Sequence, residues 1–385
     1  MKKNKSIETI TASAGIATDQ QFGAVIPPLY LSSNFAFHEF GKEQPYDYTR
    51  SANPTRDILA TALAELEGGY GGTITSSGMS AISLIASILD INASVILPHD
   101  CYGGTYRLFA ALAEKGALRV KFVNQQDLVT LKSCIEELQP KLIWVETPSN
   151  PLLQTVDIEQ IVLLAKTVNA LVAVDNTFLS PALQNPIKLG ADIVMHSTTK
   201  YINGHSDVVG GAVIANNKIL HEKIQYWANN LGVAGAPFDA YLTTRGLRTL
   251  SLRMQSHETN AMALAQALLA HEQVSKVYYP GLESHPSHLL AAKQQKGFGG
   301  MLSFELKGGL VDVKKFFEAV QHFYLAESLG GFESLVCHPF TMTHAALTEA
   351  EKAEAGISEG LVRISAGLEA KEDLISGLNV GLNSL

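Results

Sequence analysis

The sequence predicts an α/β protein in which a large, mainly parallel sheet is followed by a smaller α+β unit. Three observations carry this expectation. Short apolar runs, at 94–98, 141–146, 171–175, 192–195 and 211–214, recur between helical patterns. None alternates apolar with polar residues as a half-wet strand does, so they suit strands covered by helices on both faces. Beyond about Gly246 the texture changes to a long helical stretch and then to strands of a different character. The expected division is an arm at 1–50, an α/β domain at 51–245 and an α+β domain at 246–385.

Taken in order, residues 1–50 show little helical periodicity and contain Pro27-Pro28, Ser32-Ser33-Asn34 and a run of aromatics from Phe35 to Tyr48. An extended aromatic segment of this kind packs against something, in an oligomer a neighbouring subunit. Asn53 or Thr55 caps the helix that follows, whose Leu59, Leu63 and Leu66 share one face until Gly68-Gly69 stops it. Ser76-Ser77-Gly78-Met79-Ser80 then opens into the apolar run 81–89. A glycine turn at a helix start leaves backbone amides free for a phosphate, although serine there is also an ordinary cap.

Two polar loops follow strands. His99 to Arg107 offers Tyr102, a ring able to stack on a planar ligand, beside Gly103-Gly104, which permit close approach. Glu146-Thr-Pro-Ser-Asn150-Pro offers the Asn150 amide. Packing for Tyr102 and a turn for Asn150 are the alternatives. The centre of the chain is the stretch from Asp192 to Gly211, which sets Lys200 among hydroxyls and glycines, with Asp175 ending an apolar run 25 residues earlier.

That spacing suits pyridoxal phosphate. Lys200 would make the Schiff-base link, Asp175 would keep the pyridine nitrogen protonated, and Ser197 and Thr199 would donate to the phosphate. A surface lysine is the alternative, but it leaves a carboxylate at the end of a buried strand without a partner. In such sheets ligands sit beyond the carboxyl ends of the strands, where all these residues fall. In the last region, Ser251–His271 reads as helix, Met301–Leu306 as strand and Val311–Phe323 as helix. Period-two alternation over Leu361–Ser365 puts Arg363 on the face opposite Val362 and Ile364, as a carboxylate fork or a surface ion pair.

Composition narrows the classes. The chain has 385 residues, 46% of them hydrophobic, enough for a large core, and a formal net charge of −8. No basic cluster is long enough to follow a nucleic-acid backbone. Cys101, Cys134 and Cys337 are odd in number and widely spaced, which argues against disulfides or structural zinc and for the reducing cytosol. No signal-peptide core follows Met1–Ser6, and no apolar stretch is long enough to span a bilayer, so a cytoplasmic protein is expected. A DNA-binding sensor would need a basic helix-turn-helix that the arm does not supply. A metal hydrolase has no His-Glu-x-x-His around His338 or His344, and no metal site is expected.

The Lys200 segment, 175–184, Tyr48–Thr55, Cys101–Phe109, Glu146–Pro151 and Glu327–Leu335 together resemble the Cys/Met-metabolism family of pyridoxal phosphate enzymes, in that family's order. The resemblance implies the aspartate-aminotransferase type of fold (fold type I) and a homotetramer built as a dimer of dimers. It implies that Tyr48 and Arg50 reach across the dimer to a phosphate held by Gly78, Met79, Ser197 and Thr199 of the other chain. By the same likeness Tyr102 stacks on the ring and helps move protons, while Asn150, Ser328 and Arg363 hold the substrate α-carboxylate.

The chemistry implied is γ-replacement, in which an O-acylhomoserine and L-cysteine give cystathionine on the route to methionine. Lys200, with its amine pKa lowered by neighbouring cations, would take the Cα proton. Gly104 stands where methionine-cleaving members carry a cysteine, and Glu327 suits members that handle cystathionine, by meeting an ammonium. Arg107 is placed to meet a succinyl carboxylate, with Asp47 helping through Arg50. His338-Pro339 and Ser365-Ala366-Gly367 depart toward the γ-eliminating branch, which stays the alternative.

Overall fold

The computed structural model describes residues 5–345 and 347–385. The first four residues of the predicted arm lie outside the described residues. The larger sheet has seven strands: β1 (Gly71–Thr75), β2 (Ala93–Pro98), β3 (Leu118–Val123), β4 (Leu142–Glu146), β5 (Leu171–Asp175), β6 (Ile193–His196) and β7 (Gly211–Ala215). Their order across the sheet is β1-β7-β6-β5-β4-β2-β3. All the ladders from β6 to β3 are parallel, whereas β7 runs antiparallel to both β6 and β1. The run at 211–214, expected among parallel strands, is therefore the one reversed strand. It returns directly from the Lys200 turn, without the crossover helix that a parallel neighbour needs.

Both faces of this sheet are covered, as its uniformly apolar strands require. On one face Trp144, Ile193, Met195 and Val213 pack with Ala81, Ile82 and Ile85 of the helix Gly78–Ser87. On the other, Ile143, Val145, Val172 and Val174 pack with Ile158 and Ile161 of the helix Ile158–Lys166. A sheet edge carries β3, in which Arg119 and Lys121 interrupt the apolar pattern.

The second sheet contains β8 (Val274–Tyr278), β9 (Met301–Leu306), β10 (Tyr324–Leu325), β11 (Leu335–Cys337) and β12 (Leu361–Ser365), in the order β10-β11-β12-β9-β8. It packs on the helices Leu250–Leu269 and Gly309–Ala319, against which the helix Lys371–Leu382 lies. One apolar cluster joins the two sheets, running from Leu59, Leu63 and Val194 through Met254 and Leu264 to Phe304 and Ile364. Burying each such side chain contributes roughly 1.5–3 kcal/mol, so the lobes share their core and hold the space between them at a fixed width.

Asn53 is the cap of the helix Pro54–Glu67, accepting from the amides of Thr55 and Arg56, and Gly68 ends it at φ 75°. The arm differs from expectation in holding a short helix, Ile7–Ala12, started by Ser6. Six residues are too few to show a period. The rest of the arm is irregular, with turns at 13–17 and 20–22 and a bridge between Asn34 and Tyr48, and it leaves Phe22, Val25, Leu31, Phe37 and Phe40 largely exposed.

Candidate active site

Beyond the carboxyl ends of β4, β5 and β6 lies a cavity of about 390 Å³. The helix start at Gly78-Met79, the strand ends at Asp175 and Ser197, and the turn carrying Thr199 and Lys200 line it. Tyr102, Asn150, Glu327, Ser328 and Arg363 line it as well. Eleven of the residues singled out in the sequence thus meet in one space.

The Lys200 turn is held from within and from behind. Its amide donates to Ser197 O at 3.2 Å, its carbonyl accepts from the Gly204 amide at 2.8 Å, and Gly204 has φ 68°. The buried Arg253 guanidinium donates to Tyr201 O at 2.7 Å and to Gly246 O at 2.8 Å, tying the turn to the second lobe. Lys200 Nζ donates to Ser328 Oγ at 2.8 Å. Burial lowers the Lys200 pKa to about 8, with Arg363 adding to the effect and Glu327 opposing it. The expected cause was neighbouring cations; desolvation is the larger one, because the amine sits in a largely closed space.

Asp175 accepts from the Thr177 amide at 2.9 Å and has no lysine or arginine partner among the described residues. Its strand end is fixed by a buried network in which Glu67 accepts from His196 at 2.7 Å and from the Asn176 amide group at 2.8 Å. Gln184 in turn donates to Asn176 Oδ1 at 3.0 Å. Burial raises the Asp175 pKa, the direction taken by a carboxylate waiting for a cation.

At the helix start the cap is Ser77, whose hydroxyl accepts from the Ser80 amide at 3.0 Å. Capping and an open amide cradle coexist, because Gly78 carries no side chain: an added Cβ would come within 3.0 Å of Ser197 Oγ. Thr199 Oγ1 accepts from the Gly210 amide at 3.0 Å, which fixes the second hydroxyl beside the first. Free amides, a helix dipole and two hydroxyls make an anion site.

Arg363 is 4% exposed, so the surface ion pair is excluded. It donates to Asn150 Oδ1 at 2.9 Å and to Ser328 O at 2.9 Å, which presents the Asn150 NH2 and the guanidinium edge together. Ser328 sits at φ 103°, a strained position for a residue with a Cβ, and the strain aims its hydroxyl at Lys200.

A family described as "Cys/Met metabolism PLP-dependent enzyme" matches residues 8–383. The chain belongs to this family. It is 52% identical over 377 residues to a cystathionine gamma-synthase of Escherichia coli (strain K12), covering 98% of this chain and 97% of that one. Cystathionine gamma synthase from Xanthomonas oryzae pv. oryzae, solved in complex with cystathionine, has a TM-score of 0.97 and 54% identity, covering 99% of this chain and 98% of that one. Cystathionine gamma-lyase from Lactobacillus plantarum, complexed with L-serine, has a TM-score of 0.95 and 40% identity, covering 99% of each chain.

The cofactor of this family is pyridoxal phosphate, and the cavity fits it by its own chemistry. The anion site suits the phosphate, the uncompensated Asp175 suits a ring nitrogen that carries a proton, and Lys200 lines the same cavity as Asp175 and Arg363. Space for a flat ring beside Tyr102 depends on Gly104, where a Cβ would overlap both the Tyr102 ring and the Met79 sulfur.

Four residues singled out in the sequence do not line this cavity. Tyr48 and Arg50 are exposed, and Arg50 donates to Asn229 O at 2.7 Å while lying 5.6 Å from the Tyr48 ring centroid. Asp47 accepts from the Tyr48 amide at 2.6 Å and does not bond Arg50, which corrects the expected orientation through that arginine. Arg107 lies on the exposed face of the helix Gly103–Glu114, its Nη1 near the Gly103 backbone at the cavity mouth. Glu146, to which the sequence reading gave no role, does line the cavity. It accepts from the Tyr102 amide at 2.7 Å and from Trp144 Nε1 at 3.0 Å. Its signal was the same as that of Asp175, a carboxylate ending an apolar run.

Proposed function

We propose that this enzyme joins an O-acylhomoserine to L-cysteine by γ-replacement, releasing the carboxylic acid and forming L-cystathionine for methionine synthesis. The observation that supports the reading is that Lys200, an uncompensated carboxylate at Asp175 and the Arg363–Asn150 pair line one cavity. The family match and the γ-synthase relatives support it. When bound, pyridoxal phosphate supplies a ring that draws negative charge from Cα of the attached amino acid.

The chain's own groups do the rest. Arg363 and Asn150 grip the α-carboxylate in a bidentate fashion, turning the Cα–H bond toward Lys200. Burial keeps the released Lys200 amine neutral enough to take that proton, and Ser328 Oγ holds it in line. Tyr102 covers the ring side and excludes water, and Glu327 offers a carboxylate to the ammonium of incoming cysteine. Arg107 at the mouth meets the carboxylate of a succinyl ester.

The arm belongs to the same proposal. Tyr48 and Arg50 do not line the cavity of their own chain, and exposed aromatics run along the segment before them. Docking on a second copy, in a homotetramer of close dimers, would bring both to that copy's phosphate site. The division into an arm at 1–50 and domains at 51–245 and 246–385 is proposed on the two separate sheets, one within 71–215 and one within 274–365.

The similarity to a γ-lyase favours one second reading, elimination from cystathionine at the same lysine. Incubating the holoenzyme with O-succinyl-, O-acetyl- or O-phosphohomoserine plus cysteine, and separately with cystathionine alone, separates the two. Cystathionine formed fastest from the succinyl ester is the expected result; keto acid and cysteine from cystathionine as the dominant products would replace this reading with the lyase. Arg107→Ala should raise the KM for the succinyl ester more than for the acetyl ester.

A further inference from the structure

Two carboxylates, where one would balance a ring nitrogen, stand at the closed end of the cavity. Glu146 ends β4, Asp175 ends β5, and the parallel ladder makes them register partners. Both line the cavity, and Glu146 is 8% exposed. The titratable groups facing Glu146 are Asp175, Asp100 and the Cys101 thiol, and His196 faces Asp175. No lysine or arginine among the described residues pairs with either carboxylate.

Glu146 is also the link between the sheet and Tyr102. Tyr102 begins the helix Gly103–Glu114 but caps it with no side-chain bond, and its ring is 46% exposed. The Glu146 Oε2 contact to its amide is what fixes that backbone, with the negative charge placed favourably at a helix start. The other oxygen is occupied by the fully buried Trp144 indole.

We propose that Glu146 is a positioning residue of the cofactor site, which fixes Tyr102 beside the ring and, with its register partner Asp175, holds one proton that the pair would give up when a cationic ring nitrogen faces it. The O–H bond of the pair would break, its proton going to an unprotonated ring nitrogen or, where the ring arrives protonated, to water. The pair would then carry two negative charges instead of one, facing one positive charge. Two buried like charges on adjacent strand ends do not both ionise without a cation, and burial followed by their mutual repulsion moves Glu146 well above the usual carboxylate range. The cation that removes this penalty is the protonated ring. The inference rests on the cofactor site and is independent of which γ-reaction follows.

The indole on Glu146 supplies the test. The chain has two tryptophans, so Trp227→Phe leaves Trp144 as the sole reporter. Its emission maximum is followed against pH in the full chain, with and without pyridoxal 5'-phosphate, reading the midpoint and not the intensity. Without cofactor a transition is expected well above the glutamate reference of about 4.3; with cofactor it should move down by a pH unit or more. Glu146→Gln should abolish it, and Glu146→Asp should keep the cofactor-dependent shift while lowering kcat. A midpoint at the reference value, one that cofactor leaves in place, or one that survives Glu146→Gln overturns the proposal. If the Gln variant does not fold, the Trp227→Phe parent with and without cofactor still decides.

Discussion

The sheet-built part of the site and the arm contrast in how each is completed. Asp175, Ser197, Lys200 and Arg363 are set by strand ends and the turns that leave them, are packed on both sides, and converge within one chain. Tyr48 and Arg50 come from an irregular segment whose aromatics are largely exposed, and they find only a backbone carbonyl and each other. A covered sheet positions chemistry by itself; an arm with an exposed apolar surface does so only once another surface covers it.

Removing the substrate fork should break the self-contained half most severely. Arg363→Ala loses two charge-assisted bonds, each worth about 1.5–3 kcal/mol. It should lower kcat/KM by about a hundredfold or more while the cofactor absorbance persists. Steady-state kinetics with the ester varied at fixed cysteine check this.

Lys200 tests the same half without catalysis. Its folded pKa of about 8 lies below its unfolded value, so between the two the unfolded chain holds a proton that the folded chain has lost. Stability of the cofactor-free protein should therefore rise with pH across that window, and the full penalty of burying the ammonium is present below it. Lys200→Met should stabilise the cofactor-free protein at pH 7 by on the order of 2–3 kcal/mol, a gain that disappears near pH ~10.4. Denaturant titrations at the two pH values measure it.

The arm should give the smallest effect and a different one. On the proposal that Arg50 reaches a neighbouring copy's phosphate site, Arg50→Ala should lower pyridoxal phosphate affinity by about tenfold. The stability of the unloaded chain should not change. Equilibrium dialysis against the cofactor, with parallel thermal melts, separates this outcome from a folding defect.

The sequence made the sheet-built half legible for a physical reason. An apolar run ending in a carboxylate is costly unless something pays for it, which singled out Asp175. Glu146 carries the same signal, a carboxylate ending an apolar run, but the Thr-Pro-Ser-Asn150 turn directly after it presents a second polar group, the Asn150 amide, that competes with it. Strand direction was not legible: 211–214 is apolar whichever way it runs, and only the short return from the Lys200 turn makes it antiparallel. Strand β3 escaped because Arg119 and Lys121 break its pattern at the sheet edge. Arg363 was legible as pointing away from Val362 and Ile364, but whether that face met water or a cavity depended on Asn150, 213 residues away. For Asp47 and Arg50 local spacing suggested a contact that the fold does not make, since Arg50 turns to Asn229 instead.

The most direct test of the account is to reduce the holoenzyme with borohydride, digest it and locate the pyridoxyl group by peptide mass. The account predicts the adduct on Lys200, in the peptide containing Ser197 and Thr199. An adduct on another lysine, or no adduct in a protein that binds the cofactor, would contradict it.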